Sequence, residues 1–406
     1  MDPAVQRCPY PFYEQLHAHC PVYRVPENGI YLVTKYDDVR AVVNDTETFS
    51  SRANVAKGVQ SERAAQRQRM LAERGWTHVP TLHGTDPPEH TRYRRMLNRV
   101  FSPRRVRELA PRIQQITDGL IDAFAEGGRC EFYQDFAHPL PGTVIAEQLG
   151  LDQSEIGKFK QWGDAMLAPT ARVLSEEELV ANVELELEAQ HHFARVFEAR
   201  RREPQPDIMS ALVHVHEDEA DEDPLTMEEL QNLMYQFVTG GFETVTTGLT
   251  HAMALLLTHP DQLAILRTDR ELVKGFVEEA LRMDSPVQGQ ARMATRDVEL
   301  RGVTIPEGAI VVPRFGAANH DDEAFADEGR FDIRRADAAN HLAFGSGVHF
   351  CIGAPLARLE MQIAFTTLLE RLDDWELARP LDELAVLPTL WYLPMRELPI
   401  RFRAVG

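Results

Sequence analysis

The stretch HLAFGSGVHFCIGAPLAR, from His341 to Arg358, decides the reading of this chain. It sets Gly345, Gly347 and Gly353 around Cys351, one of only four cysteines in 406 residues. A helical pattern follows: Leu356, Leu359, Ile363 and Leu368 recur at helix spacing, and Pro355 falls where a first turn tolerates proline. Cys351 therefore stands just before a helix N-terminus, where the dipole and unbonded amides favour its sulfur as an anion. The glycines let backbone amides approach that sulfur without a Cβ clash, and Phe344 can shield one side of it. A free cysteine is by default a small buried hydrophobe. A thiol in this setting suits a soft or borderline metal instead.

Composition narrows the rest. The net charge of -20 disfavours nucleic acid or an anionic membrane as the main partner. The start, MDPAVQRCPYPFYEQL, lacks the basic and apolar regions of a signal peptide. No run reaches the eighteen or so apolar residues of a membrane span. Cys8, Cys20, Cys130 and Cys351 show no CxxC spacing, which argues against a zinc site or disulfide framework. The expectation is a cytoplasmic chain without a membrane anchor. One large domain over 1–406 fits its length, and the acidic run Glu217 to Asp223 reads as a solvated loop.

Along the chain, Gly29 to Val43 reads as a strand followed by an Asp-capped helix. Gly58 to Leu82 reads as a long polar loop with a helical piece. Thr226 and Glu229 form a capping box that starts one helix reaching about His259, with Gly240-Gly241 at mid-length. Those glycines fit either close packing or a local widening for a ligand. Glu279 and Arg282 share a helix face at i, i+3. Arg292 to Val312 turns to strands.

The run Phe344 to Gly353 resembles the haem-binding loop of the cytochrome P450 superfamily, complete at its Phe, three Gly, His and Cys positions. The resemblance extends in order through PYPFYEQLHAHCPVYRV, DTETFSSR, DPPEHTRYRRMLNRVFSP, GGFET, EALR, ARMATRDVEL and AANHDDEAFADEGRFDIRR. It implies a mainly α fold with a smaller β-rich part, holding haem b between the long central helix and the cysteine-loop helix. It implies Cys351 as the axial iron ligand, with Phe344, Gly345, Gly353, Gly240 and Gly241 around the cofactor. His90, Arg94, Arg292 and His349 are implied to meet the haem propionates. Glu279 and Arg282 are implied to be buried, bonding through Arg334 or Arg335 to the segment before the cysteine, in support of the pocket. Thr244 is implied to hydrogen-bond dioxygen or its water, with Glu243 relaying protons for O–O cleavage. Gly240 stands where the family more often has Ala.

For the substrate, Gln236 and Thr239 are expected on the central-helix wall. Val287, Trp391 and Tyr392 are expected at the haem edge and a C-terminal turn, and Trp76 and Leu82 in a roofing loop. Ordinary core packing is the competing account of each. The activity implied is monooxygenation of a hydrophobic small molecule (a terpenoid, aromatic compound, fatty acid or steroid) by hydroxylation or epoxidation. No fused reductase is expected, so electrons are to come from NAD(P)H through a ferredoxin and its reductase. The basic residues Arg92, Arg95, Arg99, Arg104, Arg105 and Arg107 are expected to offer an acidic ferredoxin a landing site. A peroxide-driven enzyme typically lacks the Glu243-Thr244 pair, and a haem sensor has no need of it.

Overall fold

Runs rich in Val, Ile and Tyr form several of the strands, such as YLV at 31–33 and IVVP at 310–313, and the strands are short. The computed structural model describes residues 5, 8–53, 62–171, 174–216, 223–384, 391–392 and 395–405, so all of the acidic run except Asp223 lies outside the described residues. The strands are β1 (Val22–Arg24), β2 (Tyr31–Val33), β3 (Phe49–Ser50), β4 (Arg129–Glu131) and β5 (Arg292–Ala294), then β6 (Val298–Leu300), β7 (Val303–Ile305), β8 (Ile310–Pro313), β9 (Leu372–Leu377) and β10 (Pro399–Ala404). The helices that matter below are α1 (Tyr36–Asn44), α2 (Glu62–Arg74), α3 (Glu89–Val100), α4 (Glu176–Arg202), α5 (Met227–Gly241), α6 (Glu243–Thr258), α7 (Val273–Met283) and α8 (Ala354–Arg371). Helix dominates, as expected. Among the described residues no helix is long and apolar enough to cross a membrane.

Two compact units divide the chain. The first comprises residues 1–50, 106–140 and 243–406; the second comprises 51–105 and 141–242. All ten strands among the described residues lie in the first unit. Five form one sheet in the order β1-β2-β8-β5-β3, in which β2 and β8 run parallel with Tyr31 opposite Val311. The β-rich part is thus built from both the N-terminal residues and the segment 292–313. Val33, Val39, Val42, Phe49, Val311 and Leu342 share one buried cluster. Leu342 belongs to the lead-in of the cysteine loop, so that lead-in packs on the sheet core.

Two expectations need correction. The helix after β2 is not Asp-capped. Its N-cap is Lys35, which makes no side-chain cap bond, while Asp37 and Asp38 lie in the first turn, where they still favour the dipole. Lys35 is instead buried, with its ammonium 2.7 Å from Asp321 and 2.9 Å from Glu323. The central helix is also not continuous. It begins with the expected capping box at Thr226 but stops at Gly241, and α6 starts at Glu243. Phe242 separates them with φ -106° and ψ -69°, and its ring is buried where a Cβ on Gly142 would approach within 2.8 Å. Two helix-weakening glycines followed by an anchored aromatic let the ladder break there.

The segment leading to the cysteine loop is fixed from beneath by α7. Arg282, with no exposed side-chain surface, gives two hydrogen bonds to Glu279, at 2.7 and 2.9 Å. It also donates to the carbonyls of Asn319 and Glu328, each at 2.8 Å, and of Arg330 at 3.2 Å. Glu279 in turn accepts from Arg335 Nε at 3.1 Å and from the Asp332 amide at 3.1 Å. Arg335, not Arg334, is therefore the partner in this segment. Asn319 carries the tie onward, because its side-chain oxygen accepts the Leu342 amide at 2.6 Å. Removing one member strands a buried charge. Glu279→Ala is expected to lose about 3–5 kcal/mol of unfolding free energy, read by urea denaturation at neutral pH.

Candidate active site

The cysteine loop is shaped by two left-handed glycines. Gly345 and Gly347 have φ of +70° and +69°, a region that costs side-chain-bearing residues. Gly347 is further constrained by a neighbour: a Cβ there would lie 2.2 Å from Asn44 Oδ1 at the end of α1. That pressure comes from α1. Gly353 has an ordinary φ of -83° at the N-cap of α8, and a Cβ on it would meet Cys351 Sγ at 3.9 Å, plain contact distance.

Cys351 itself follows a short 3-10 turn over Gly347–His349, and its amide donates to the Phe344 carbonyl at 3.0 Å. The thiol is exposed, as are Val348 and Phe350 beside it. Large apolar side chains at the surface are few among the described residues, and two flank this sulfur. A soft donor with an apolar rim at a helix N-terminus fits a flat, largely apolar metal macrocycle. Arg292 on β5, in the same unit, is buried with 4% of its surface exposed and donates to the Ala291 carbonyl at 3.0 Å. His349 is half-buried in the loop turn. Both offer cations or donors suited to carboxylates.

Beneath Phe344 lies a charged cluster that the motif does not reveal. Arg358 Nε and Nη2 grip the two oxygens of Glu278, each at 2.7 Å, and the guanidinium carbon sits 4.6 Å from the Phe344 ring centroid. His341 Nδ1 accepts the Ala343 amide at 3.1 Å, which leaves its proton on Nε2, 3.3 Å from Glu278 Oε2. Burial pushes the Glu278 carboxyl up, but the bonds from Arg358 and His341 outweigh it and hold it at about 2.

At the start of α6, Glu243 is buried and Thr244 half-buried. Glu243 is not a solvated carboxylate. Its Oε1 lies 2.7 Å from Arg396, whose Nη1 also donates to the Tyr133 hydroxyl. Arg396 is the functional candidate that sequence reasoning missed, because 153 positions and a proline-broken tail separate it from its partner. Val287 and Tyr392 meet in an antiparallel bridge, and the Trp391 carbonyl accepts the Gln288 amide at 2.8 Å. Three of the expected substrate residues are thus brought together within the first unit.

The second unit holds the others. His90 is buried on α3 and Arg94 half-buried. A Cβ at Gly240 would meet nothing within 4 Å, while one at Gly241 would touch Ile145 at 3.5 Å. The side-chain amide of Gln236 donates to Thr81 Oγ1 at 2.6 Å, next to the short turn Leu82–Gly84. Thr239 returns its hydroxyl to the Tyr235 carbonyl at 2.8 Å. Each of these polar groups thus already makes one hydrogen bond inside the protein. Trp76 packs edge-on against His191 of α4, ring centroids 5.6 Å apart, and its backbone is clasped by Gln190. Nearby, Glu186 takes Arg67 at 2.7 Å and His78 at 2.6 Å.

A family model described as Cytochrome P450 matches residues 178–389. The monooxygenase PikC of Streptomyces venezuelae is 39% identical over 401 residues, covering 97% of this chain and 91% of its own length. The chain belongs to the cytochrome P450 family. The 6-deoxyerythronolide B hydroxylase of Saccharopolyspora erythraea is 36% identical over 395 residues, 97% of this P450 and 95% of that one. The solved structure of CYP109Q5 from Chondromyces apiculatus superposes with a TM-score of 0.87 at 34% identity, covering all of this P450 and 97% of that chain. As a P450 it is a haem-dependent monooxygenase, an oxidoreductase.

One further acid stands out in this P450. Glu360 on α8 is 2% exposed, and its Oε2 has no hydrogen-bond partner among the described residues. Burial pushes its carboxyl up to about 8. Between the ordinary 4.5 and about 8, the unfolded chain has released this proton while the folded chain keeps it. Stability therefore falls as pH rises through that window. Glu360→Gln removes the proton dependence. Urea unfolding at a series of pH values should show the variant's advantage over wild type growing from pH 4.5 to pH 8, reaching several kcal/mol.

Proposed function

We propose that this P450 inserts one atom of O2 into a hydrophobic small molecule, by hydroxylation or epoxidation, with haem b ligated through Cys351. The observation that carries the reading is the Cys351 thiol, set before the α8 N-terminus and framed by exposed Val348 and Phe350. When bound, the haem supplies the redox chemistry that activates dioxygen. The protein's own groups do the rest. Cys351 holds the metal, with helix amides favouring its thiolate. Arg292 and His349 suit the propionates, and His90 and Arg94 are assigned to the same task by the family resemblance. Glu279, Arg282 and Arg335 keep the loop in register.

Thr244 Oγ1 holds and passes a proton at the reacting oxygen, and Glu243 replaces it. Because Arg396 holds Glu243, reprotonation requires that ion pair to open toward the partly exposed side of Arg396. Phe344, Gly345, Gly353, Gly240 and Gly241 line the cofactor in this reading. Val287 and Tyr392 are assigned to the substrate wall, whereas Trp391 packs against Leu16, Leu32 and Val312, which favours core packing for its ring. Gln236, Thr239, Trp76 and Leu82 are kept as shape-setting residues, since the polar groups of the first two are already bonded.

Electrons are proposed to come from NAD(P)H through a separate ferredoxin and reductase, the whole chain acting as one catalytic domain in the cytoplasm. Arg95, Arg99, Arg104, Arg105 and Arg107 are exposed and suit an acidic ferredoxin. Arg92 is half-buried and pairs with Glu229 at 2.7 Å. A screen of terpenoids, aromatics, fatty acids and steroids by the low-spin to high-spin shift identifies the substrate class.

Two results are expected. The reduced protein with carbon monoxide shows the red-shifted Soret band of thiolate ligation, Cys351→Ala loses it, and wild type turns over with a ferredoxin system. Retention of the band in the variant overturns the ligand assignment, and turnover with peroxide alone overturns the electron route. Thr244→Ala still binds substrate and consumes NAD(P)H, but diverts at least about tenfold more electrons to peroxide or water per product formed, within the range a single proton-transfer group contributes. Wild-type coupling in that variant removes Thr244 from the relay.

A further inference from the structure

The cluster beneath Phe344 is placed to act on the bound metal electrically. Its geometry is fixed at every joint. Glu278 on α7 grips Arg358 on α8 with two bonds of 2.7 Å. Arg358 is stacked on Phe344, and the Phe344 carbonyl takes the Cys351 amide at 3.0 Å. His341, immobilised by the Ala343 amide, closes the third side of the carboxylate. The side chains of Glu278 and Arg358 are 14% and 26% exposed, so water screens this pair less than a surface pair. The arrangement is a fixed dipole. Its cationic end lies against the aromatic ring whose carbonyl holds the cysteine, and its anionic end lies toward α7.

We infer that the Glu278–Arg358 pair, oriented by His341, sets the reduction potential of the metal held at Cys351 by balancing the charge beneath Phe344. The inference rests on the haem-thiolate reading above. The physical ground is that an added electron is favoured by a nearby cation and opposed by a nearby anion, and net charge is one of the determinants of a metal centre's potential. The two charges nearly cancel as the protein stands. Losing either one alone leaves the other uncompensated, and the two losses act in opposite directions. Glu278 and Arg358 are positioning residues in this account: they act through Phe344 and touch no reacting atom.

A mere staple between α7 and α8 would behave differently, because loosening it from either side disturbs the same loop in the same sense. The experiment is a spectroelectrochemical titration of the holoenzyme, with the reduced carbon-monoxide spectrum recorded for each protein. Glu278→Gln is expected to raise the midpoint potential and Arg358→Gln to lower it, both with the thiolate band retained. The double variant, whose local net charge equals that of wild type, is expected to return toward the wild-type potential. Shifts of the same sign, or no shift in either single variant, overturn the inference while leaving the ligation intact. Should a neutral variant lose the thiolate band, Glu278→Asp and Arg358→Lys are read in its place. Unmoved potentials in these charge-keeping variants support the inference, and a displaced potential overturns it. A wild-type protein without the thiolate band overturns the parent reading as well, so the two failures are told apart.

Discussion

The guanidinium of Arg282 is the ion on which the cysteine-loop side of the first unit depends. It has no water to turn to, and a charge so placed must be paired and hydrogen-bonded. Glu279 takes the charge; the carbonyls of Asn319, Glu328 and Arg330 take the remaining donors. Each of those carbonyls belongs to the segment that leads to the cysteine loop. One side chain thereby pins irregular backbone that has little regular secondary structure of its own. The loop can then carry positive-φ glycines and the exposed Cys351 thiol, because its entry is fixed from below.

Charge pairs recur wherever irregular chain must be held. Lys35 is buried at the N-cap of α1 against Asp321 and Glu323, joining the first helix of the sheet region to the same lead-in. Glu278, Arg358 and His341 hold the ring of Phe344. Arg396 holds Glu243 at the first residue of α6. In the second unit, Glu186 gathers Arg67 and His78. Apolar packing builds the helices and the sheet core, but it is non-directional. Fixing a loop to a fraction of an ångström calls for directional bonds, and these clusters provide them.

Glu360 is the exception in kind. It is a buried acid without a counter-charge, and its environment keeps it protonated where most carboxyls are ionised. A neutral acid inside the helix that follows Cys351 adds no charge to its surroundings. The charge there is set by the pairs already named.

The sequence by itself determined the helical class, the helix that follows Cys351, the capping box at Thr226 and the family, because each rests on residues close together along the chain. Glycine spacing, a cap and a periodic stripe are local, and local geometry follows from local chemistry. The i, i+3 spacing of Glu279 and Arg282 was legible too, although only the fold shows their burial and selects Arg335 over Arg334. What lay beyond the sequence was decided by tertiary contact. Gly347 is required by Asn44, 303 positions away, and no spacing rule connects the two. The break at Phe242 needs the buried ring as well as the glycines before it. That Gln236 bonds to Thr81 and Thr239 to the Tyr235 carbonyl is likewise invisible in a helix-face pattern. Arg396 and Glu243 share no motif, and only the folded chain makes them a pair. Side-chain bonds between distant segments have no periodicity, so the three-dimensional arrangement alone could reveal them.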